Sequence, residues 1–578
     1  MKHQTLQQPP QYALSMPEGE GCHAKDFDWM AKNVPCRSAC PADTDIPGYL
    51  DAVRLGQYAE AYRINLRDNV FPAVLGRTCT RPCEPACRHG WDGLGEPVAI
   101  CFSKRSADDF MQSKEPVRLD PLFPPSGKTV AVVGGGASGL TAARELCLWG
   151  HAVTVYEAHS EAGGLMIQGI PEFRLPREIV RREVDQIAAQ GVHFECNQQI
   201  DASRLKAMQT EFDAVILAAG THEPHIPDLP GTGLTGVHHG LTFLKAVNAG
   251  QRPDIGGEVM VIGGGFTAVD CARMARRLGA ARVGMYYRRS PNEMYIGEHE
   301  LHQFETEGIT ARFQVAPIEI LGGSNGRVCA VRFAETRMVP QADGRARPER
   351  ISGSEFEIPC TTLLLGTGQK ASDWWREIPG LYIAGDALRG PGSLIDAIGH
   401  GKSVARTVDR ALMGADRFET VVIAEDAKST GRSREMDALP RLKMPERDSA
   451  ARGITDEVET GLSQEDSTTE ASRCYLCHYK FEIDNDLCIY CDRCLQVKPV
   501  ENCIVKVSDL IYDQNDRISG YIPSTGTRNY NRLHLDQNEC IRCGACVEVC
   551  PVECITLQKV SQVTRPVKPL PGQDSVKK

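Results

Sequence analysis

No stretch of this 578-residue chain stays apolar for anything near the roughly 20 residues that span a bilayer, so no membrane helix is expected. The opening residues, MKHQTLQQPPQYALSMPEGEG, contain no apolar core of a secretory signal. The chain therefore reads as cytoplasmic. An excess of positive charge is missing too: the formal net charge is −10, which argues against nucleic acid and anionic membrane surfaces as partners. There is no Ser/His/Asp constellation and no metal-like histidine pair, and His299 and His302 read as one helix face. No catalytic side chain is expected.

Cysteine is abundant, with 23 in the chain. Six fall between Cys36 and Cys101 and eleven between Cys474 and Cys554, many at C-x2-C spacing. A disulfide framework suits a small secreted chain; clustered thiols in a large cytosolic one point to metal. The scattered Cys147, Cys196, Cys271, Cys329 and Cys360 read as small buried core residues, and Cys22 as a bystander.

The middle of the chain repeats one unit. KTVAVVGGGASG (128–139) is a buried strand running into Gly134, Gly136 and Gly139 at G-x-G-x-x-G spacing, followed by a helix and a second strand ending in Glu157. The glycines let backbone approach a pyrophosphate, the helix start stabilises its charge, and Glu157 suits ribose hydroxyls. The second copy, EVMVIGGGFTAVDCARMA (258–275), carries Gly263, Gly265 and Ala268. Its next strand ends in Arg288 and Arg289 rather than an acid. A guanidinium pair suits a 2′-phosphate and favours NADP(H) over NAD(H); the bland alternative is a solvated pair at a strand end. YIAGDALRGPGSLIDAIGHGKSVA (382–405) returns to a strand–helix pattern, so the second unit reads as inserted within the first. AVILAAGT (214–221) and TLLLGTGQ (362–369) are expected as the crossing strands.

With GGLMIQGIPEFRLPREIV (163–180), LAAGT and IAGDA added, residues 30–415 resemble the small, flavin subunit of bacterial glutamate synthase and its relatives. The resemblance implies an α/β glutathione-reductase-like core. FAD would lie on Gly134, Gly136, Gly139, Glu157, Gly164 and Leu165, with Gly385 and Asp386 at its ribityl–pyrophosphate end. NADPH would lie on Gly263, Gly265, Ala268, Arg288 and Arg289. Phe266 departs from the asparagine usual in the family. The expected division is a helical iron–sulfur domain (1–125), an FAD domain (126–225 and 360–415), an NADP(H) domain (226–359), a linker or wrap (416–470) and a ferredoxin-like α+β domain (471–578).

The same resemblance makes CRSACP (36–41) and GRTCTRPCEPACR (76–88) ligand segments. It implies one cubane held mainly by Cys40, Cys79 and Cys83, with Cys101, Cys87 or Cys36 as fourth ligand. The family carries a C-x2-C just upstream of Cys36. Here that stretch reads DFDWMAKNV, so the number of N-terminal clusters, one or two, turns on ligands the family pattern would place there.

Near the other end, CIRCGACVEVCP (540–551) is the bacterial ferredoxin run, whose fourth cysteine serves the other cluster. One 4Fe–4S cluster is expected on Cys488, Cys491, Cys494 and Cys550. The second takes Cys540, Cys543 and Cys546 and lacks a thiolate, because Lys498 occupies the place of the fourth cysteine. Cys503 is the expected replacement, a three-cysteine 3Fe–4S site the alternative. Cys474, Cys477 and Cys554 are left over, and GYIPSTGTRNYNRLHLD (520–536) is expected as a hairpin carrying a docking surface.

Flavin takes two electrons from a nicotinamide and iron–sulfur clusters take one at a time, so the combination is a two-to-one electron converter. The expected role is a subunit linking ferredoxin, or a partner enzyme such as a 2-oxoacid:ferredoxin oxidoreductase, to the NADP pool. The alternatives are a self-contained NADPH-dependent reductase of a small substrate and a non-catalytic redox-sensing module. A dithiol reductase of the thioredoxin type is disfavoured, since the NADP unit holds no C-x2-C.

Overall fold

A computed structural model describes residues 25–567, apart from 92, 295, 297, 342–345, 513–517 and 525–531. Residues 1–24, Cys22 among them, and residues 525–531 of the 520–536 segment therefore lie outside the described residues.

Two parallel sheets form the centre. TVAVV (Thr129–Val133) is β-branched and buried on both faces, which is what a central parallel strand requires. Its sheet runs Tyr382–Ile383, Ala214–Leu217, Thr129–Val133, Ala152–Tyr156, His193–Glu195. The second sheet has the same plan: Val237–His239, Thr362–Leu365, Glu258–Ile262, Arg282–Tyr287, Thr310–Phe313. The first sheet takes its edge strand from chain that follows the second, so one unit is inserted within the other. Ala214–Leu217 and Thr362–Leu365 are core strands of one sheet each. The passage between units is a separate two-stranded ladder, Glu223–Pro224 against Gln369–Lys370. An antiparallel sheet of Val315–Gly322, Val328–Pro340, Ala346–Arg350 and Phe356–Pro359 flanks the second unit.

Ahead of this core, six helices from Lys25–Asn33 to Ile100–Asp109 bury Tyr49, Leu50, Phe71 and Val74 in the core cluster that also holds Val130 and Val132. The segment 416–470, which composition marks as a linker, departs from that reading at both ends. Phe418–Asp426 is a strand paired along its whole length with Ile555–Pro566. Gln464–Ser472 is a helix capped by Ser463, whose side chain accepts from the Asp466 N–H. Between them the chain does wrap the surface. In the C-terminal part, Ile504–Tyr512 is the central strand of three, with Ile518–Pro523 on one edge and Arg532–Leu535 on the other, so the two strands of the 520–536 segment do not pair with each other as the expected hairpin would require. Among the described residues no helix is long and apolar enough to cross a membrane.

Candidate cofactor sites and cysteine clusters

The turn after Thr129–Val133 is built for a close approach by backbone. Gly139 is needed for packing, since a Cβ there would strike the carbonyl oxygen of Gly134. Gly136 is different: a Cβ there would meet no protein atom within 4 Å. Its missing side chain leaves an open cradle at the start of helix Ala137–Leu148, the place for a pyrophosphate. Beside it, the Ser138 hydroxyl is buried without a partner, and the Gly385 backbone backs onto Ser138. Gly163 donates to the Gly135 carbonyl at 2.7 Å, and Gly164, at φ 52°, caps the short helix Leu165–Gln168. Asp386 opens helix Asp386–Arg389, and burial raises its pKa above the usual carboxylate range. Glu157 is 5% exposed and accepts from the Gly135 N–H at 2.8 Å and the His159 N–H at 3.0 Å, which fixes its carboxylate at the loop.

The second loop has the same open position at Gly265. Register then separates the two units. Val133 pairs with Tyr156, and Ile262 with Tyr286, so Tyr287 occupies the place of Glu157. Its ring lies against Gly264, where Glu157 contacts Gly135 in the first unit. Arg288 and Arg289 follow directly, anchored through their carbonyls to Thr336 Oγ1 at 2.8 Å and the Gln314 N–H at 3.1 Å. Neither guanidinium has an ion-pair partner among the described residues. The orphaned hydroxyl and the two open glycine positions fit two dinucleotides.

The clustered thiols fall into four groups, all unpaired by disulfide. The first gathers Cys40, Cys79, Cys83 and Cys101 around the buried Lys104. Burial pushes the Lys104 pKa down, but those four thiols outweigh it and hold the ammonium above its ordinary range. The second gathers Cys36, Cys87, Cys474 and Cys477 around one cavity with apolar walls that include Ile46 and Leu50. Burial, then the nearness of Cys87, Cys477, Cys474 and Cys83, pushes the Cys36 thiol far up. The third gathers Cys488, Cys491, Cys494 and Cys550 around another cavity, with Cys554 beside them, its Sγ 3.5 Å from that of Cys550. The fourth brings Cys503 to Cys540, Cys543 and Cys546.

Thiols crowded together out of water cannot ionise side by side without a compensating cation. No three His, Cys, Asp or Glu side chains among the described residues converge on a single metal ion. Four thiols spread around a void suit a cubane, whose irons sit at its corners. Each group also holds the same turn. The N–H groups of Arg81, Leu476, Tyr490 and Arg542 each lie 3.4 Å from the sulfur two residues earlier, on Cys79, Cys474, Cys488 and Cys540. All four donors are non-glycine residues at positive φ, between 48° and 60°. Such backbone is strained, and four repeats at cysteines mark a common purpose: amide donors aimed at thiolate sulfur.

Sequence reasoning leaves Cys474 and Cys477 unassigned, and the structure brings them to Cys36 and Cys87. The signal was present: their C-x2-C spacing equals that of the pair missing upstream of Cys36.

Residues 128–401 match the family model described as pyridine nucleotide-disulphide oxidoreductase. Residues 18–116 match dihydropyrimidine dehydrogenase domain II, 4Fe-4S cluster, and residues 533–556 match the 4Fe-4S binding domain. The class is thus a nicotinamide-linked flavoprotein with iron–sulfur domains at both ends. Similar proteins include the NADP(+)-dependent formate dehydrogenase subunit beta of Moorella thermoacetica, 31% identical over 77% of this chain and 70% of its own. The NADPH-Fe(3+) oxidoreductase subunit beta of Geobacter sulfurreducens is also 31% identical, over 77% of this chain and 75% of its own. The glutamate synthase (NADPH) small chain of Mycobacterium tuberculosis is 32% identical over 67% of this chain and 87% of its own. The chain belongs to the glutamate synthase small-chain-like family of NADP(H)-dependent flavin iron–sulfur oxidoreductases, which transfer electrons.

Proposed function

We propose that this chain is the nicotinamide-facing subunit of a larger redox assembly, joining ferredoxin or a catalytic partner subunit to the NADP pool in the cytoplasm. The observation that carries this reading is the joining of two nucleotide loops to groups of four thiols at both ends of one chain. When bound, FAD takes the two electrons of a hydride and the clusters pass them on singly. The chain's own residues hold and orient these groups. Gly134, Gly136, Gly139, Glu157, Gly164, Leu165, Gly385 and Asp386 would hold FAD, and Gly263, Gly265, Ala268, Arg288 and Arg289 would hold NADP(H). Three cubanes would lie on Cys40, Cys79, Cys83 and Cys101, on Cys488, Cys491, Cys494 and Cys550, and on Cys503, Cys540, Cys543 and Cys546.

The relatives' names support a partner holding the final substrate: two are β subunits and one is a small chain. The test is an anaerobic titration of purified protein with NADPH, following flavin absorbance and cluster EPR together. Bleached flavin with reduced-cluster signals upholds the reading. A flavin untouched by NADPH removes it. Co-purification from the native host then identifies the partner, whether a 2-oxoacid:ferredoxin oxidoreductase or another low-potential enzyme.

A further inference from the structure

Cys36 and Cys87 lie in the N-terminal helical region, whereas Cys474 and Cys477 lie nearly four hundred residues further along the chain. All four line a single cavity. We infer that Cys36, Cys87, Cys474 and Cys477 hold one 4Fe–4S cluster, a site built jointly by the two ends of the chain. The inference rests on reading the other thiol groups as cubane sites.

The local structure explains how distant cysteines reach one place. Helix Gln464–Ser472 is fastened to the N-terminal helices by Glu470, which accepts from the Ala99 N–H at 2.7 Å and the Leu442 N–H at 2.8 Å. Ser467 and Ser106 share a hydrogen bond of 2.6 Å alongside. The helix ends at Arg473, whose buried guanidinium donates to the Leu439 and Glu96 carbonyls at 2.9 Å each. The next residue is Cys474. The turn Cys474–Cys477 then adopts the strained form with the amide aimed at sulfur that the two ferredoxin runs adopt at Cys488 and Cys540. Leu476 is buried in the core and not glycine, yet it holds φ 48°, a strain that a thiolate ligand turn accounts for. Tyr475 and His89 both line the cavity, their rings tilted at 40° with centroids 4.7 Å apart.

The shared site also joins the two iron–sulfur regions. Cys36 neighbours Cys83, in the first thiol group. On the other side stands the fully buried Arg542, which donates to Asn33 Oδ1 at 3.0 Å and has both Cys540 and Cys477 as charged neighbours. Arg432, also buried, donates to the Cys474 carbonyl at 2.8 Å and the Ile541 carbonyl at 2.9 Å, tying the two turns together. Cys546 in turn has Cys494 as a charged neighbour. The four thiol groups therefore form a row: the Cys40 group, the shared group, the Cys540 group and the Cys488 group. Without the shared cluster, the Cys40 group and the two ferredoxin groups would be separated by a gap in that row. Docking of the C-terminal region and completion of the path between them become one event.

The test is iron and spectroscopy on the anaerobically purified full chain. The wild type is expected to hold about sixteen irons, four per cubane. C474A/C477A should lose about four irons and one Mössbauer component while keeping its FAD and the bleaching of that FAD by NADPH. C36A/C87A should lose the same component, and the quadruple variant should lose no more than either pair. Unchanged iron in C474A/C477A, or different components lost by the two pairs, overturns the shared site and leaves the other clusters standing. A wild type without cluster iron overturns both. Retained FAD distinguishes ligand loss from general unfolding.

Discussion

Arg452, on the wrap between the flavin core and the C-terminal region, donates to Glu307 Oε1 at 2.8 Å. Glu307 belongs to the NADP unit and is also held by Arg273 at 2.7 Å and Arg277 at 2.8 Å. Those two guanidiniums lie over the ring of Phe173, from the flavin unit, at 4.8 and 4.0 Å. One carboxylate thus fastens three parts of the chain. Burial alone would raise its pKa, but Arg277 and Arg273 win and hold it at about 2.

Glu307→Gln leaves the Arg273 and Arg277 guanidiniums without their anion, Arg452 keeping Glu446 at 2.8 Å, which costs about 3–5 kcal/mol for a buried pair broken on one side. Because the folded-state pKa is depressed, that contribution is complete above the ordinary value of 4.5 and is lost as pH falls towards about 2. Unfolding midpoints of wild type and E307Q should differ widely at pH 7 and approach each other below about 4.5. A gap that stays constant with pH would show that the ionised carboxylate is not what holds the wrap.

Nicotinamide choice rests on Arg288 and Arg289. With Tyr287 at the position of Glu157, no carboxylate stands there to repel a 2′-phosphate. R288Q/R289Q should weaken NADPH with little effect on NADH, since each lost charge-assisted hydrogen bond is worth roughly 1.5–3 kcal/mol. The nucleotide concentration that half-bleaches the flavin gives the comparison. Equal weakening of both nucleotides would contradict the assignment.

Lys104 is 4% exposed and faces Cys101, Cys79, Cys40 and Cys83. A buried cation stabilises the more negative, reduced form of a cluster beside it. Lys104→Met should therefore lower the potential of one cluster, by roughly 50–100 mV at an effective dielectric constant of about 20. Redox titration followed by EPR reads the shift. An upward shift would show that the ammonium does not face the cluster.

Much of this was legible in the sequence because the signals are local. G-x-G-x-x-G, the acid at Glu157 and the C-x2-C-x2-C-x3-C run each lie within a few tens of residues, so spacing alone fixes their geometry. The nesting of one nucleotide unit in the other followed from the repeat and the return at Tyr382. Tyr287 was less visible, because the end of a strand is set by register with its neighbour rather than by its own residues. The role of Phe418–Asp426 was hidden for a related reason. Its partner strand, Ile555–Pro566, lies over a hundred residues away, and a charged stretch such as FETVVIAED reads as linker until that partner is known. Cys474 and Cys477 show the same limit: the sequence left them over, and only the fold brings them to Cys36 and Cys87.

The two ferredoxin runs differ in how many thiols each offers, and this yields a contrast between single variants. By alignment Cys503 matches Cys554, yet only the second run also keeps a cysteine at the earlier position, Cys550. In the first run that position is Lys498, whose ammonium donates to the Ile504 carbonyl at 2.8 Å and braces the loop that carries Cys503. Cys503 therefore has no thiol in reserve, and C503A should convert its cubane to a 3Fe–4S form or lose it. Cys550 has Cys554 only 3.5 Å away, and both lie beside Cys488, Cys491 and Cys494. C550A should keep its cluster by exchanging one sulfur for the other, as should C554A, whereas C550A/C554A should lose it. Iron content and low-temperature EPR of the four variants decide the matter. If C550A alone loses the cluster, Cys554 is a bystander and the ferredoxin pattern applies without modification.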